Sequence, residues 1–271
     1  MAKSVRPTEA FPITTRELRV LRVEDVTPGM RRIVLGGDGL AAHTADTGYS
    51  VGAFRSDGFD DHVKVILRHP DLTEPLLPKQ MDGVLEWPRD DRSVVRTYTV
   101  RRWDPEHGEV DVDVVTHGDG PGVRWAVTAR PGDAVHIAGP RRSSGHPRDV
   151  DWVLVAGDET ALPAIARWLE EWPDGQRGRV LIEVSSEDRR QDLPHPPGVD
   201  VTWIDSAGTD PGATTLLADA VRNLEWWDGT GFVWVAGEAG AVAPLRRWLR
   251  DERDLRDEQV QITAYWHRGD G

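Results

Sequence analysis

There is no cysteine among the 271 residues. Disulfides, thiolate zinc sites, cysteine nucleophiles and cysteine-held iron–sulfur clusters are therefore excluded. The nine histidines are scattered, with no His-Glu-x-x-His or similar pair at helical spacing, so no protein-held metal is expected. Long apolar runs are lacking too. Nothing approaches the roughly eighteen residues of a membrane span, and no apolar segment follows the first basic residues as in a secretory signal. The expectation is a cytoplasmic protein without membrane insertion. Positive charge is scarce: 33 Lys and Arg against 46 Asp and Glu give a formal net charge of −13. That is the wrong sign for a general nucleic-acid binder, whose affinity comes from cations that neutralise phosphates. An anionic ligand here needs a local basic cluster, for which Arg55, Lys64, Arg124, Arg141-Arg142, Arg246-Arg247 and Arg268 are the candidates.

What is present is enough chain for two globular domains, and the texture changes halfway. Residues 17–149 read as short strands separated by frequent turns: 18–26, 30–35, 63–67, 94–101, 109–116 and 134–137. This is the pattern of a closed antiparallel barrel. One helical patch, 123–129, interrupts it and stops at Arg130-Pro131-Gly132-Asp133. Beyond Asp149 strands and helices alternate, as in a parallel sheet with helices on its faces: strands at 152–156, 180–185, 199–204, 232–236 and 260–265, helices at 161–172, 215–224 and 241–251. The boundaries implied are 11–145 for the barrel domain and 150–269 for the α/β domain. The stretch 142–149, with its Ser-Ser-Gly-His-Pro composition, reads as an exposed hinge. Twelve tryptophans are present; Trp168 and Trp248 fall on apolar helical stripes and read as core.

Three elements follow in order between Arg96 and Gly139: the strand-like run Arg96-Thr97-Tyr98-Thr99-Val100-Arg101, the glycine turn Gly118-Asp119-Gly120-Pro121-Gly122, and the stop Gly139-Pro140-Arg141. Alternation along a strand sends Arg96 and Tyr98 to one face, where a cation can hold a diphosphate while a phenol covers an aromatic ring system. The glycine turn opens a short helix, a place where backbone N–H groups gather around phosphate oxygens. A flavin site is the reading. A second pattern recurs 80 residues apart: Val-Leu-Val-Ala-Gly157-Asp158-Glu159-Thr160 and Val-Trp-Val-Ala-Gly237-Glu238-Ala239 each end a strand and enter a helix. Such ends are where open α/β sheets bind nucleotides. The two carboxylates at 158 and 159 stand where a diphosphate would be repelled, with Gly237-Glu238-Ala239 as the other wall, and Thr160 is expected to cap the following helix. Asp158 and Glu159 also favour a positive helix terminus whatever the function.

From Phe11 to Gly269 the chain resembles the siderophore-interacting proteins, flavin-dependent reductases on the ferredoxin-reductase plan. The residues carrying the resemblance are Asp61-His62-Val63-Lys64, the run from Arg96 to Arg101, Asp113 with His117-Gly118, Gly139-Pro140, the segment 156–164, the segment 235–239 and the tail Tyr265-Trp266-His267-Arg268-Gly269. The resemblance implies an antiparallel FAD-binding barrel followed by a parallel-sheet NAD(P)-binding domain. It implies that Arg96 binds the FAD diphosphate, that Tyr98 stacks on the isoalloxazine and that Thr99 bonds near its reactive edge, although alternation puts Thr99 on the face opposite Tyr98. Asp113 and His117 line the adenosine side in the family; a solvated pair is the competing reading. Gly122, Val123, Trp125 and Thr160 complete the FAD set. Val123 lacks the hydroxyl usual in the family, so phosphate binding there relies on main-chain donors. Trp125 and Trp266 are placed against the flavin's adenine or ring system. Gly157, Asp158, Glu159, Gly237, Glu238 and Ala239 form the NAD(P) set, with the donor open between NADH and NADPH because Ser185 to Arg190 offers both signs of charge.

The activity implied is reduction of ferric siderophores by NAD(P)H through FAD, releasing ferrous iron. One hydride carries two electrons and ferric iron accepts one, so each nicotinamide serves two ferric complexes. No general acid or base is demanded, in keeping with the absence of a Ser-His-Asp or paired-carboxylate motif. Arg55, Lys64, Arg246 and Arg268 are the guesses for an anionic siderophore. The alternatives are a flavin reductase of the same fold with a protein or quinone acceptor, and a non-catalytic siderophore-binding protein. A monomer is favoured.

Overall fold

The computed structural model describes residues 5–269, which divide into two compact units: residues 8–145, and residues 146–269 together with 5–7. In the first unit seven strands make one sheet: β1 (Thr15–Thr27), β2 (Met30–Gly36), β3 (His62–Leu67), β4 (Val94–Thr99), β5 (Arg102–Asp104), β6 (Glu109–Val115) and β7 (Ala134–Ala138). Their order is β5-β6-β2-β1-β7-β3-β4, antiparallel throughout. Its two edge strands, β4 and β5, are consecutive parts of one run separated only by Val100-Arg101. The Val100 N–H reaches Asp61 O at 2.8 Å on one side, and the Arg101 N–H reaches Asp111 O at 2.9 Å on the other. The sheet therefore closes through its own corner and leaves no long free edge.

Alternation fills the barrel: Ile33 and Leu35, Val63 and Val65, Val110, Val112 and Val114 all lie in one cluster with Leu18, Val20 and Ile137. Helix α1 (Pro121–Thr128) lays Ala126 and Trp125 on this cluster. Pro121 suits the first helical position because its fixed φ is already helical and its missing N–H has no intrahelical role there. The stretch expected as an open hinge is partly sheet. Arg142–Ser144 pairs antiparallel with Thr8–Ala10, and the buried Ser143 donates its hydroxyl to Asp61 at 2.8 Å. A Ser-Ser-Gly composition still makes a strand when a partner segment supplies the ladder, and that partner lies far away in sequence.

The second unit is a five-stranded parallel sheet built from β8 (Trp152–Gly157), β9 (Arg177–Val184), β10 (Val199–Asp205), β11 (Gly231–Glu238) and β12 (Val260–Trp266), in the order β10-β9-β8-β11-β12. Helices α2 (Leu162–Glu170), α3 (Leu216–Arg222) and α4 (Ala239–Arg253) connect it. Every residue of β8 and β11 is buried, as expected for central strands covered on both faces. Trp168 and Trp234 are fully buried, whereas Trp248 is only partly so and packs against the cluster of Leu245, Leu249 and Val260. Strand order reverses beside β8: β9 and β10 continue to one side, β11 and β12 to the other. The carboxyl ends of β8 and β11 thus form the sheet's topological switch point. Among the described residues no helix is long and apolar enough to cross a membrane.

Candidate functional site

On the barrel, β4 runs in register with β3, with Arg96 opposite Val65 and Tyr98 opposite Val63. The two side chains share a face and converge on Gly122. A Cβ at that glycine would lie 2.1 Å from the Tyr98 hydroxyl and 3.4 Å from Arg96 Cγ, so the position admits nothing larger. Tyr98 also meets Trp125, ring centroids 6.1 Å apart and tilted by 36°. Burial pushes the Tyr98 phenol up to about 12 against the opposing pull of Arg96, so the ring is neutral at physiological pH. The Arg96 guanidinium donates to the Val95 carbonyl at 3.0 Å, and among the described residues no carboxylate pairs with it. Helix α1 starts at Gly120 without a side-chain cap. A cation without a counter-ion beside an uncapped helix start, with a glycine where the backbone must be approached closely, fits an FAD diphosphate.

The other residues of the predicted FAD set have different surroundings. Thr99 is buried opposite His62, on the face away from Tyr98. Asp113 is buried and accepts from Arg32 through both oxygens, at 2.7 and 2.8 Å, with Arg101 Nε 4.0 Å away. Strand β6 ends at Val115, so His117 sits in the turn that bends at Gly118 (φ +78°) and does not continue the Asp113 face. Val123 is half-buried in the first turn of α1.

At the switch point of the sheet, Asp158 is the hub. Its Oδ1 accepts from the Thr160 N–H at 2.9 Å and the Thr160 hydroxyl at 2.5 Å; its Oδ2 accepts from the Glu238 N–H and the Trp266 indole N–H, both at 2.9 Å. Thr160 is not the cap. The chain passes through a 3₁₀ turn, Glu159–Ala161, before α2, and Asp158 caps that turn because its Oδ1 takes both Thr160 donors. Gly237 makes the hub possible: a Cβ there would stand 2.7 Å from Asp158 Oδ2. Desolvation raises the Asp158 pKa against the pull of its four donors. Glu238 caps α4 at the Ala241 N–H (2.8 Å) and also accepts from the Arg268 N–H (3.1 Å). Although desolvation acts to raise it, these backbone donors, with that of Gly240, leave its pKa lowered. Glu159 turns away to hold Ser185 through its N–H and hydroxyl, each at 2.7 Å. Ala239 begins α4. Trp266, read in the sequence as a flavin contact, is tied to this hub.

The four cations guessed for substrate differ in how far they are already engaged. Arg55 pairs with Glu9 (3.1 Å) and Asp57 (2.5 Å) and lies over Phe11. Arg268 faces Asp210 at 3.5 Å, and Arg246 donates to the Ile262 carbonyl at 2.8 Å. Lys64 has no such partner and lines a cavity of about 870 Å³ in the barrel unit together with His62, Arg141, Arg142 and Trp87. Sequence reading named Arg141-Arg142 only as loose basic candidates and missed Trp87. A cation pair directly after Gly139-Pro140 was the available signal for the arginines.

The fold, a closed antiparallel barrel and a parallel sheet with its switch point at β8, is ferredoxin-reductase-like. Within that class the chain belongs to the siderophore-interacting protein family. Residues 19–144 match the model described as the siderophore-interacting FAD-binding domain, and residues 150–269 the one described as siderophore-interacting protein. The chain is 38% identical to a siderophore utilization protein from T. fusca, whose crystal structure it matches with a TM-score of 0.88 over 97% of each chain. It is 34% identical to the NADPH-dependent ferric-chelate reductase of Escherichia coli, covering 93% of this chain and 92% of that protein. Its identity to the ferric vibriobactin reductase ViuB of Vibrio cholerae is 31%, covering 96% and 92% respectively.

Proposed function

We propose that this protein is an FAD-dependent reductase that uses NADPH or NADH to reduce ferric siderophores and release ferrous iron. The observation that carries the reading is the convergence of Arg96 and Tyr98 on Gly122 beside the uncapped start of α1, in a chain of this family. Arg96 and the main chain at Gly122-Val123 hold the diphosphate, and the neutral ring of Tyr98 covers the flavin. When bound, FAD accepts a hydride and delivers electrons one at a time. Asp158 and Glu238 keep phosphates away from the switch point, so the nicotinamide end of the dinucleotide is received there between Gly157 and Gly237-Ala239. Nicotinamide becomes cationic as its hydride leaves, and the Glu238 carboxylate, its pKa lowered by backbone donors, favours that developing charge more than the neutral starting ring. The anionic ferric chelate is taken by Lys64 with Arg141 and Arg142, cations without carboxylate partners among the described residues. Iron leaves because hard oxygen donors hold the smaller, more highly charged ion better.

The test is anaerobic turnover of FAD-loaded protein with NADPH or NADH and a ferric siderophore, with ferrous iron trapped by a coloured chelator. The expected result is nicotinamide-dependent ferrous formation at two irons per nicotinamide oxidised. Yellow protein that binds the chelate yet never forms ferrous iron identifies a siderophore-binding protein instead. Turnover with quinones alone identifies a flavin reductase with another acceptor.

A further inference from the structure

We infer that Trp87 is a specificity-determining residue, presenting an aromatic wall that favours anionic chelates whose donor oxygens are carried on aromatic rings. The inference rests on the reductase reading for its substrate and goes beyond it by naming what is selected. The cavity on the barrel has two chemically different walls. One carries His62 and Lys64 from β3 and Arg141 and Arg142 after β7. Among the described residues no carboxylate pairs with Lys64, Arg141 or Arg142, whereas Arg55, close by in sequence, is neutralised twice. In a chain of net charge −13, a local group of uncompensated cations is a receptor for an anion.

The rest of the lining is largely apolar and aromatic: Ile13, Val84, Leu85 and Trp87. It belongs to a small hairpin, Lys79–Gln80 paired with Leu85–Glu86. The hairpin is fastened rather than loose. Ile13 N–H bonds the Gly83 carbonyl at 3.2 Å, and Gln80 Nε2 donates to Ile13, Met81 and Val84 carbonyls at 3.3, 2.8 and 3.2 Å. Trp87, half-buried directly after the hairpin, turns its ring toward Lys64, whose Nζ is 6.0 Å from the ring. A cation and an indole face so placed hold a planar ring bearing an anionic oxygen better than either could alone, the oxygen on Lys64 and the ring on Trp87. A volume of about 870 Å³ suits a chelate with several arms. A catecholate or phenolate complex satisfies both walls, a citrate complex only the cationic one, and a neutral hydroxamate complex neither fully.

Gallium complexes separate this inference from the reductase reading, because gallium does not accept an electron under these conditions. Binding of gallium dihydroxybenzoate and gallium citrate to the FAD-loaded protein is measured by calorimetry. The native protein is expected to prefer the aryl chelate, and Trp87→Leu, which keeps apolar bulk, to weaken it by about three- to tenfold while leaving citrate within about twofold. Trp87→Phe restores most of the aryl affinity, which marks an aromatic face rather than mere packing. Equal losses for both chelates, no loss for either, or a Phe variant as weak as the Leu variant overturns the inference. Ferrous formation with NADPH is scored separately: intact turnover without aryl selectivity sinks only the role of Trp87, and selective gallium binding without turnover sinks only the reductase reading.

Discussion

At the residue scale, two ionisable side chains, Arg16 and Asp158, are held by neutral hydrogen-bond partners rather than by counter-ions. Arg16, 5% exposed, donates to the carbonyls of Gly39 and Gly52 at 2.6 Å and of Ala41 at 3.3 Å, and has no carboxylate partner among the described residues. Desolvation lowers its pKa to about 10, so it remains charged at neutral pH. It fastens the excursion between β2 and β3 to β1. Asp158 is the mirror case, a carboxyl group serving four donors. Asn at 158 offers one oxygen and one NH₂: turned toward Thr160 the NH₂ can give to the hydroxyl but confronts the Thr160 N–H, and turned the other way it confronts the N–H groups of both Glu238 and Trp266, so at least one donor faces a donor in either orientation. Asp158→Asn is therefore expected to destabilise by about 1–3 kcal/mol in urea titration, although it removes a desolvated charge. The pH dependence has a definite sign. The folded-state pKa of Asp158 is raised, so on acidification the folded state takes up this proton before the unfolded state does. The native protein then gains stability relative to the Asn variant as pH falls from neutrality through the raised pKa toward the ordinary 3.8. A stability gap that narrows on acidification contradicts the assignment.

At the scale of elements, the start of α1 against β4 is the contact on which cofactor retention depends. Gly122→Ala puts a methyl 2.1 Å from the Tyr98 hydroxyl, so the ring or the helix must move. The FAD content after gel filtration, read as flavin absorbance per protein, is expected to fall severalfold. Tyr98→Phe removes the clashing oxygen; the next contact, at 3.4 Å, is Tyr98 Cζ, the edge of ordinary packing. The double variant Gly122→Ala with Tyr98→Phe should hold more FAD than Gly122→Ala alone, and no recovery would place the cofactor's dependence elsewhere. This contact also shows where sequence reading reaches its limit. The strands and helices were legible because Val112-Asp113-Val114 alternates and Ile165-Trp168-Leu169 repeats at helical spacing, both local patterns. That Arg96 and Tyr98 share a face was legible for the same reason. Arg32 as the partner of Asp113, Trp266 as a donor to Asp158 and Thr8–Ala10 as the ladder for Arg142–Ser144 were not. Each depends on which strands pair, which is decided by tertiary packing between residues far apart in sequence. Trp87 was hidden because its meaning comes only from the cations that share its cavity.

At the scale of the whole molecule, the charge balance sets an unusual salt dependence. The chain carries a formal net charge of −13 and yet presents Lys64, Arg141 and Arg142 in one cavity. Bound FAD adds further negative charge. At about 10 mM ionic strength the Debye length is about 30 Å, so an approaching anionic chelate responds to much of the molecule and is repelled. Near 0.1 M it is about 10 Å, and the chelate responds mainly to the cations lining the cavity. The kcat/KM for an anionic ferric chelate is therefore expected to rise, by about two- to fivefold, as salt increases from about 10 to 100 mM. It should flatten or decline only beyond that, once the cavity cations are screened as well. A neutral hydroxamate complex provides the control and should stay flat across the range. If the anionic chelate instead loses rate from the lowest salt upward, long-range attraction governs its approach, and the cations that matter extend well beyond this cavity.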